Sequence, residues 1–409
     1  MKALKGLGYW AGLLGLAVLM GTLAILAVYL LPTGRMKKNV AKSSYIFDHE
    51  EAYPELITGF AFTRLDNFTD SVMLGTAMYD GEGSLTDKAM SNYRMFSDKL
   101  NVIKSTSHYA NDVKEVYYPK AYPWYWHGYL VYLKPLLLFF TYGEIRLLNG
   151  SFQTGLLILI IKLFLESRQK KYLPAFLVAI LFLNPAATAL SLQYSSMYYL
   201  LFFLTLLWLY WERKGCLTEK NIKLLAFGVG CATSYIDFLT YPAAGLGFLM
   251  VFYLNTFGFE PKKLIQYIKY VLLWVYGYVG MWAGKWLVSS LLLGRNMFTY
   301  GLDKIAERSA GEGNRFAGIV KNLEVYANKV FIILLWLAVT YAICRLVKEK
   351  SKFGKREFID ASGYLLTALL PFVWIFLASE HSNMHTWFVH RVFTVTLFAL
   401  SCMFFRLTR

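Results

Sequence analysis

The chain is short of charge and of cysteine. Only 17% of its 409 residues are Asp, Glu, Lys or Arg, against 57% hydrophobic, where a soluble domain carries about 25% charge. A water-soluble globular enzyme is therefore a poor description. The four cysteines are Cys216, Cys231, Cys344 and Cys402; three fall in apolar runs, one in a basic loop, and none in the long polar segment. No disulfide framework is indicated. Internal repeats and low-complexity tracts are also missing. The first apolar run, residues 9–31, follows Lys2 and Lys5 and has no clean small-residue cleavage site. It is too long for a signal-peptide core and reads as a retained anchor.

What is present is apolar length. Mean hydropathy is +0.41, and several runs approach the ~20 residues needed to cross a ~30 Å hydrocarbon core. The net charge of +16 sits mainly at the ends of these runs. That placement is a topology signal and a headgroup contact, not a nucleic-acid footprint. The expected fold is an all-α polytopic membrane protein, a single membrane domain over residues 1–409 in the cell membrane.

Orientation follows from Lys and Arg in the short loops. The basic breaks are Arg168–Lys171, Glu212–Lys214 with Lys220, Pro261–Lys263, Lys348–Arg356, and the C-terminal Arg406 and Arg409. All are cytoplasmic together if about ten spans run at 9–31, 150–166, 172–190, 197–211, 222–237, 242–257, 267–290, 330–347, 359–379 and 388–405. Both termini are then cytoplasmic, and residues 32–149 and 294–329 form outer segments. The apolar stretch 128–140 carries Lys134 and is expected to be an interfacial or re-entrant helix.

This topology puts all six histidines outside: His49, His108 and His127 in the first outer segment, and His381, His385 and His390 before the last span. The last three, with Arg391, suggest an anion-binding patch. The competing readings are an interfacial turn with Trp387 in the aromatic belt, and a zinc site from His381 and His385 beside Glu380. Asp66 and Asp70 are the strongest acidic candidates, one of them as general base toward a bound hydroxyl. The bland reading is that Asp70 or Thr69 caps the following helix while Asp66 pairs with Arg64. Charges inside spans cost ~2.5–3.5 kcal/mol at helix centre, so Asp237 suggests a polar, protein-lined cavity. Lys285 suggests either a site or snorkelling. Asn67 and Asn149 begin glycosylation sequons.

The layout resembles the GT-C class of membrane glycosyltransferases, which includes protein mannosyltransferases and the lipid A aminoarabinose transferase. One span, then a long outer loop with an acid near its start, then an interfacial segment and an Arg at the head of span two make up the resemblance. Asp66 and Asp70 stand where that class has its acid, Tyr125-Trp-His-Gly-Tyr-Leu130 looks like a divergent His/Lys-Pro-Pro-Leu motif, and Glu144-Ile-Arg-Leu-Leu148 is similar to the segment that follows it. The similarity covers residues 1–170 by pattern and the remainder by topology; the Pro-Pro is absent.

The resemblance implies an inverting sugar transferase fed by a polyprenyl-phosphate donor, acting on a glycan, lipid or protein acceptor. Asp66 or Asp70 would be the base, and His127, Arg146, Lys285, His385 and Arg391 would surround the phosphate. It leaves dependence on a divalent cation open. A transporter or lipid flippase would favour matching halves and midplane charges, and a polysaccharide polymerase or ligase would place its large loop late. A structural or assembly protein is a further alternative if the outer polar groups prove scattered.

Overall fold

The computed structural model describes residues 2–309, 314–348 and 354–408. Residues 349–353 of the basic loop Lys348–Arg356, Arg409, and residues 310–313 of the second outer segment lie outside the described residues. Helix predominates in the described chain, whose named strands form one antiparallel ribbon pairing Arg94–Phe96 with Tyr118–Lys120. Among the described residues six helices are long and apolar enough to cross a membrane: Gly6–Tyr29, Tyr142–Glu166, Leu192–Arg213, Lys329–Lys348, Lys355–Leu377 and Thr386–Leu407. The segments expected at 222–237, 242–257 and 267–290 are helical too, as Glu219–Ile236, Ala243–Phe257 and Leu264–Leu293.

Two expected boundaries are corrected. The segment 172–190 is not one helix. It breaks after Leu173–Phe182 at Asn184, which takes a left-handed conformation (φ 58°) and caps Pro185–Leu190 by accepting from Ala187 N. Proline just inside the start of that second piece cannot continue the first helix. The span expected to begin at 150 begins at Tyr142, where Thr141 and Glu144 form a reciprocal capping box. Glu144 and Arg146 are thus the first turn of the long helix. The apolar stretch before it forms Leu130–Phe139. Ten residues of helix rise ~15 Å, half of what a span needs.

Packing follows the small residues. The Glu219–Ile236 and Leu264–Leu293 helices touch along their length, because a Cβ at Gly230 would strike the Trp274 carbonyl and one at Gly277 the Phe227 carbonyl. Without a hydrophobic drive between helices in lipid, such close backbone approach supplies the packing energy.

The segment expected outside after the first helix is a folded cap with its own core, not an open loop. Met36, Val40, Met73, Leu74, Met90 and Ile103 are buried in one cluster with Leu130, Leu133 and Leu137 of the Leu130–Phe139 helix. Two buried lysines hold it down. Lys134 donates to the Ala77 carbonyl at 2.7 Å, and Lys285 to the Met90 carbonyl at 3.1 Å and to Asn92 Oδ1 at 3.2 Å. Ala77 and Met90 end or nearly end their helices, where carbonyls lack an intrahelical partner and the dipole favours a cation. Snorkelling is therefore the wrong account of Lys285: its side chain is fully buried and points into the cap.

Candidate active site on the cap

The Asn67–Ala77 helix starts at Asp66, whose side chain is the N-cap: Oδ1 accepts from Thr69 N at 2.9 Å and Oδ2 from Thr69 Oγ at 2.9 Å. Neither Asp70 nor Thr69 is the cap, and Asp66 does not pair with Arg64, which bonds Glu55 at 2.9 Å instead. Asp66 Oδ2 also accepts from the Trp387 indole at 3.2 Å. Both carboxylates are fully buried, and burial pushes Asp66 up to about 6 against its hydrogen bonds and the nearby Arg391 charge.

Asp70 lies one turn on and faces the other way. Its Oδ2 accepts from Tyr142 Oη at 2.6 Å and Leu192 N at 2.8 Å, and its Oδ1 from Gln193 N at 3.1 Å. Those two amides open the Leu192–Arg213 helix, whose first N–H groups lack intrahelical acceptors and whose dipole favours an anion. Burial raises Asp70 to about 7, with the Tyr142 and Leu192 bonds opposing. Asp70 is a tie between the cap and two long helices; Asp66 has the side facing the last span.

The His381–Arg391 segment does not present one patch. Arg391 is fully buried over the Tyr194 ring, 4.0 Å from its centroid, and donates to the Leu183 and Arg64 carbonyls at 3.1 Å each. Among the described residues no carboxylate bonds it; its charge acts on Asp66 through space. His390 spends Nδ1 on the Thr386 carbonyl at 2.7 Å, and His381 spends Nε2 on the Leu239 carbonyl at 2.9 Å. His385 differs. Its Nε2 accepts from Arg308 at 3.0 Å, and its ring lies 5.0 Å from that of Trp387. Burial and the Arg308 charge lower His385 to about 4, so the imidazole is neutral at pH 7. A guanidinium on that nitrogen also argues against the zinc reading. Among the described residues no three His, Cys, Asp or Glu side chains gather as a metal centre would require.

Arg308 leads to a groove of 320 Å³, walled by Trp124, Tyr125, Trp282, Trp286 and Trp374, with Lys304 and Arg308 at its polar side. Val279 and Leu377 on its wall are each 56% exposed, so it opens sideways from the bundle. A continuous path thus runs from Asp66 through Trp387 and His385 to Arg308 and an aromatic, cation-rimmed groove. Sequence reasoning missed Arg308 and Lys304, and placed Trp387 only in an aromatic belt. The two cations are four apart on the Met297–Ser309 helix, the spacing that puts side chains on one face; reading 294–329 as an amphipathic helix would have found them.

The remaining candidates lie elsewhere. His127 has both nitrogens satisfied, accepting from Tyr129 Oη at 3.0 Å and donating to the Tyr122 carbonyl at 2.7 Å. Burial and the Lys285 charge hold it down to about 3. It is a neutral strut in an aromatic cluster with Tyr122 and Phe238. Arg146 donates to Glu50 at 2.8 Å and to Asn67 Oδ1 at 2.7 Å. That bond and its burial also leave Asn67 no room for a glycan. Asp237 accepts twice from Thr240 N, at 3.1 and 3.0 Å. It thereby closes the turn that holds Leu239, a groove-wall residue, at φ 65°. Backbone strain of that kind gathers at functional sites. All four cysteines are free thiols.

No protein-family model, curated protein or solved structure matches the chain.

Proposed function

We propose that the chain is a membrane glycosyltransferase that moves a sugar from a polyprenyl-phosphate donor to an acceptor hydroxyl on the extracytoplasmic face. The topology that accompanies this reading has about ten spans, both termini in the cytoplasm and the cap outside. It rests on the basic short loops. The observation that carries the function is the path from the buried Asp66 carboxylate to Arg308 at the rim of an aromatic groove that opens sideways. A lipid-linked phosphate has those two needs: an apolar wall for its tail, and fixed cations where charge grows.

In the reaction the acceptor oxygen attacks the anomeric carbon, the bond from that carbon to the phosphate oxygen breaks, and polyprenyl phosphate leaves with the bonding pair. Asp66 takes the acceptor's proton. Arg308 and Lys304 offset the charge that develops on the leaving phosphate, in a site too apolar to screen them. His385, neutral, accepts from Arg308 and aims it. Arg391 holds Asp66 near an ionisable state by its charge and fixes the Leu183 and Arg64 backbone around it.

The reading is tested by supplying proteoliposomes with a labelled polyprenyl-phosphate sugar and following its consumption. Arg308→Gln is expected to lower kcat/KM about 10²-fold, with a smaller loss for Lys304→Gln on the same rim. Unchanged kcat/KM in Arg308→Gln would remove the groove from the mechanism.

The pH profile gives an independent check. A base must be ionised, and Asp66 ionises near 6 because burial disfavours its charge. Below pH 6, kcat/KM is expected to rise about tenfold per unit and then level off. An acid limb near pH 4 would mean that a solvated carboxylate does the work.

A further inference from the structure

At the end of the Glu219–Ile236 helix away from Asp237, a second groove of 530 Å³ opens between that helix, the N-terminal helix and the Leu264–Leu293 helix. Its walls include Trp10, Leu272, Leu273 and Tyr276, and Lys223 and Lys269 lie on it. An adjoining cleft shares Trp10 and Lys223 and adds Glu219 and Lys220. Beside it the N-terminal helix packs on its neighbours, since a Cβ at Gly280 would strike Leu14 and one at Gly284 would strike Val18.

The charge here is one-sided. Lys223 pairs with Glu219 at 2.5 Å, while Lys220 and Lys269 have no carboxylate at ion-pair distance among the described residues. Three ammonium groups thus face one carboxylate beside an apolar wall. Leu272 is 59% exposed and Tyr276 37%, so the wall faces outward from the bundle, where hydrocarbon would lie. The volume falls within the ~300–1,000 Å³ range of ligand sites. Cations at the polar end and aliphatic and aromatic surface below match an amphiphile with an anionic head. A free phosphate would leave the wall unused.

We propose that this groove holds one anionic phospholipid of the leaflet on the side of the chain's N-terminus. Its phosphate lies between Lys223 and Lys269 and its acyl chain along Leu272 and Leu273. The site is independent of sugar transfer and far from Asp66 in the fold. Bound there, the lipid fills the surface between the N-terminal helix and its neighbours.

The test uses the full-length protein in detergent with native mass spectrometry, offering phosphatidylglycerol and phosphatidylcholine in equal amounts. One phosphatidylglycerol is expected to be retained about tenfold over phosphatidylcholine. Lys223→Gln with Lys269→Gln should abolish that preference, since a lysine near an anionic headgroup contributes about fivefold. Ala11→Trp, which fills the groove without touching charge, should reduce retention of both lipids. Equal retention of the two lipids by the unaltered protein overturns the proposal, as does an unchanged preference in the double variant or unchanged retention in Ala11→Trp. Loss of the preference on adding inorganic phosphate would assign the lysines to a free anion and overturns it too.

Discussion

Replacing Asp66 by Asn is expected to lower sugar transfer by about 10²–10⁴-fold, the usual contribution of a positioned general base. The fold should survive. Asp66 is an N-cap, accepting from Thr69 N, and Asn caps a helix as well as Asp does. What Asn cannot do is take a proton from the acceptor hydroxyl. The donor's KM should change little, because Asp66 serves the acceptor hydroxyl while Arg308 and Lys304 meet the donor phosphate. Initial rates with a labelled polyprenyl-phosphate sugar, alongside the melting temperature, separate the two effects. A well-folded Asp66→Asn variant at full rate would exclude Asp66 as the base. If Asp70→Asn alone lost the rate, the two roles would be exchanged.

Asp70→Ala is expected to cost stability, about 3–5 kcal/mol. It strands the amides of Leu192 and Gln193 and the Tyr142 hydroxyl, all in a fully buried site. Each buried donor left without an acceptor costs ~1–3 kcal/mol. Tyr142→Phe removes one of those bonds and should cost about 1 kcal/mol. Melting in detergent reads both, and equal melting temperatures for Asp70→Ala and the unaltered protein would rule out the tie. The pH dependence has a definite sign. The folded protein holds the Asp70 proton up to about 7, whereas an exposed carboxyl releases it near 4. Between those values the folded state binds more protons, so stability falls as pH rises through the window. Asp70→Asn, which cannot ionise, should flatten that slope.

Much of the architecture was legible. Apolar runs and basic breaks located the helical segments, since an apolar stretch that long has few soluble solutions. Six of them reappear as helices long enough to cross a membrane. The break at Asn184-Pro185 was written in the sequence as well, but it was overridden by the hydropathy of its flanks. Asp66 and Asp70 were legible as a pair. Their division of labour was not, because both are four-atom carboxylates in the same stretch, and only the partner that each one meets distinguishes them.

The His381–Arg391 run shows the limit most clearly. Four basic side chains within eleven residues suggest one anion patch, yet the turns of the chain send His381, His390 and Arg391 inward to backbone carbonyls. His385 alone meets Arg308, 77 residues away. His127 and Lys285 were read as phosphate contacts, but the cap uses them as struts. The sequence by itself determined that the protein is helical and apolar enough to enter a membrane, that a polar segment follows its first helix, and which side chains carry charge there. Tertiary structure alone decided which of those charges are spent on orphaned helix ends and carbonyls, and which are left facing a groove. The reason is that a buried polar group must find a partner wherever the fold brings one, and hydropathy and spacing do not encode partners from distant segments.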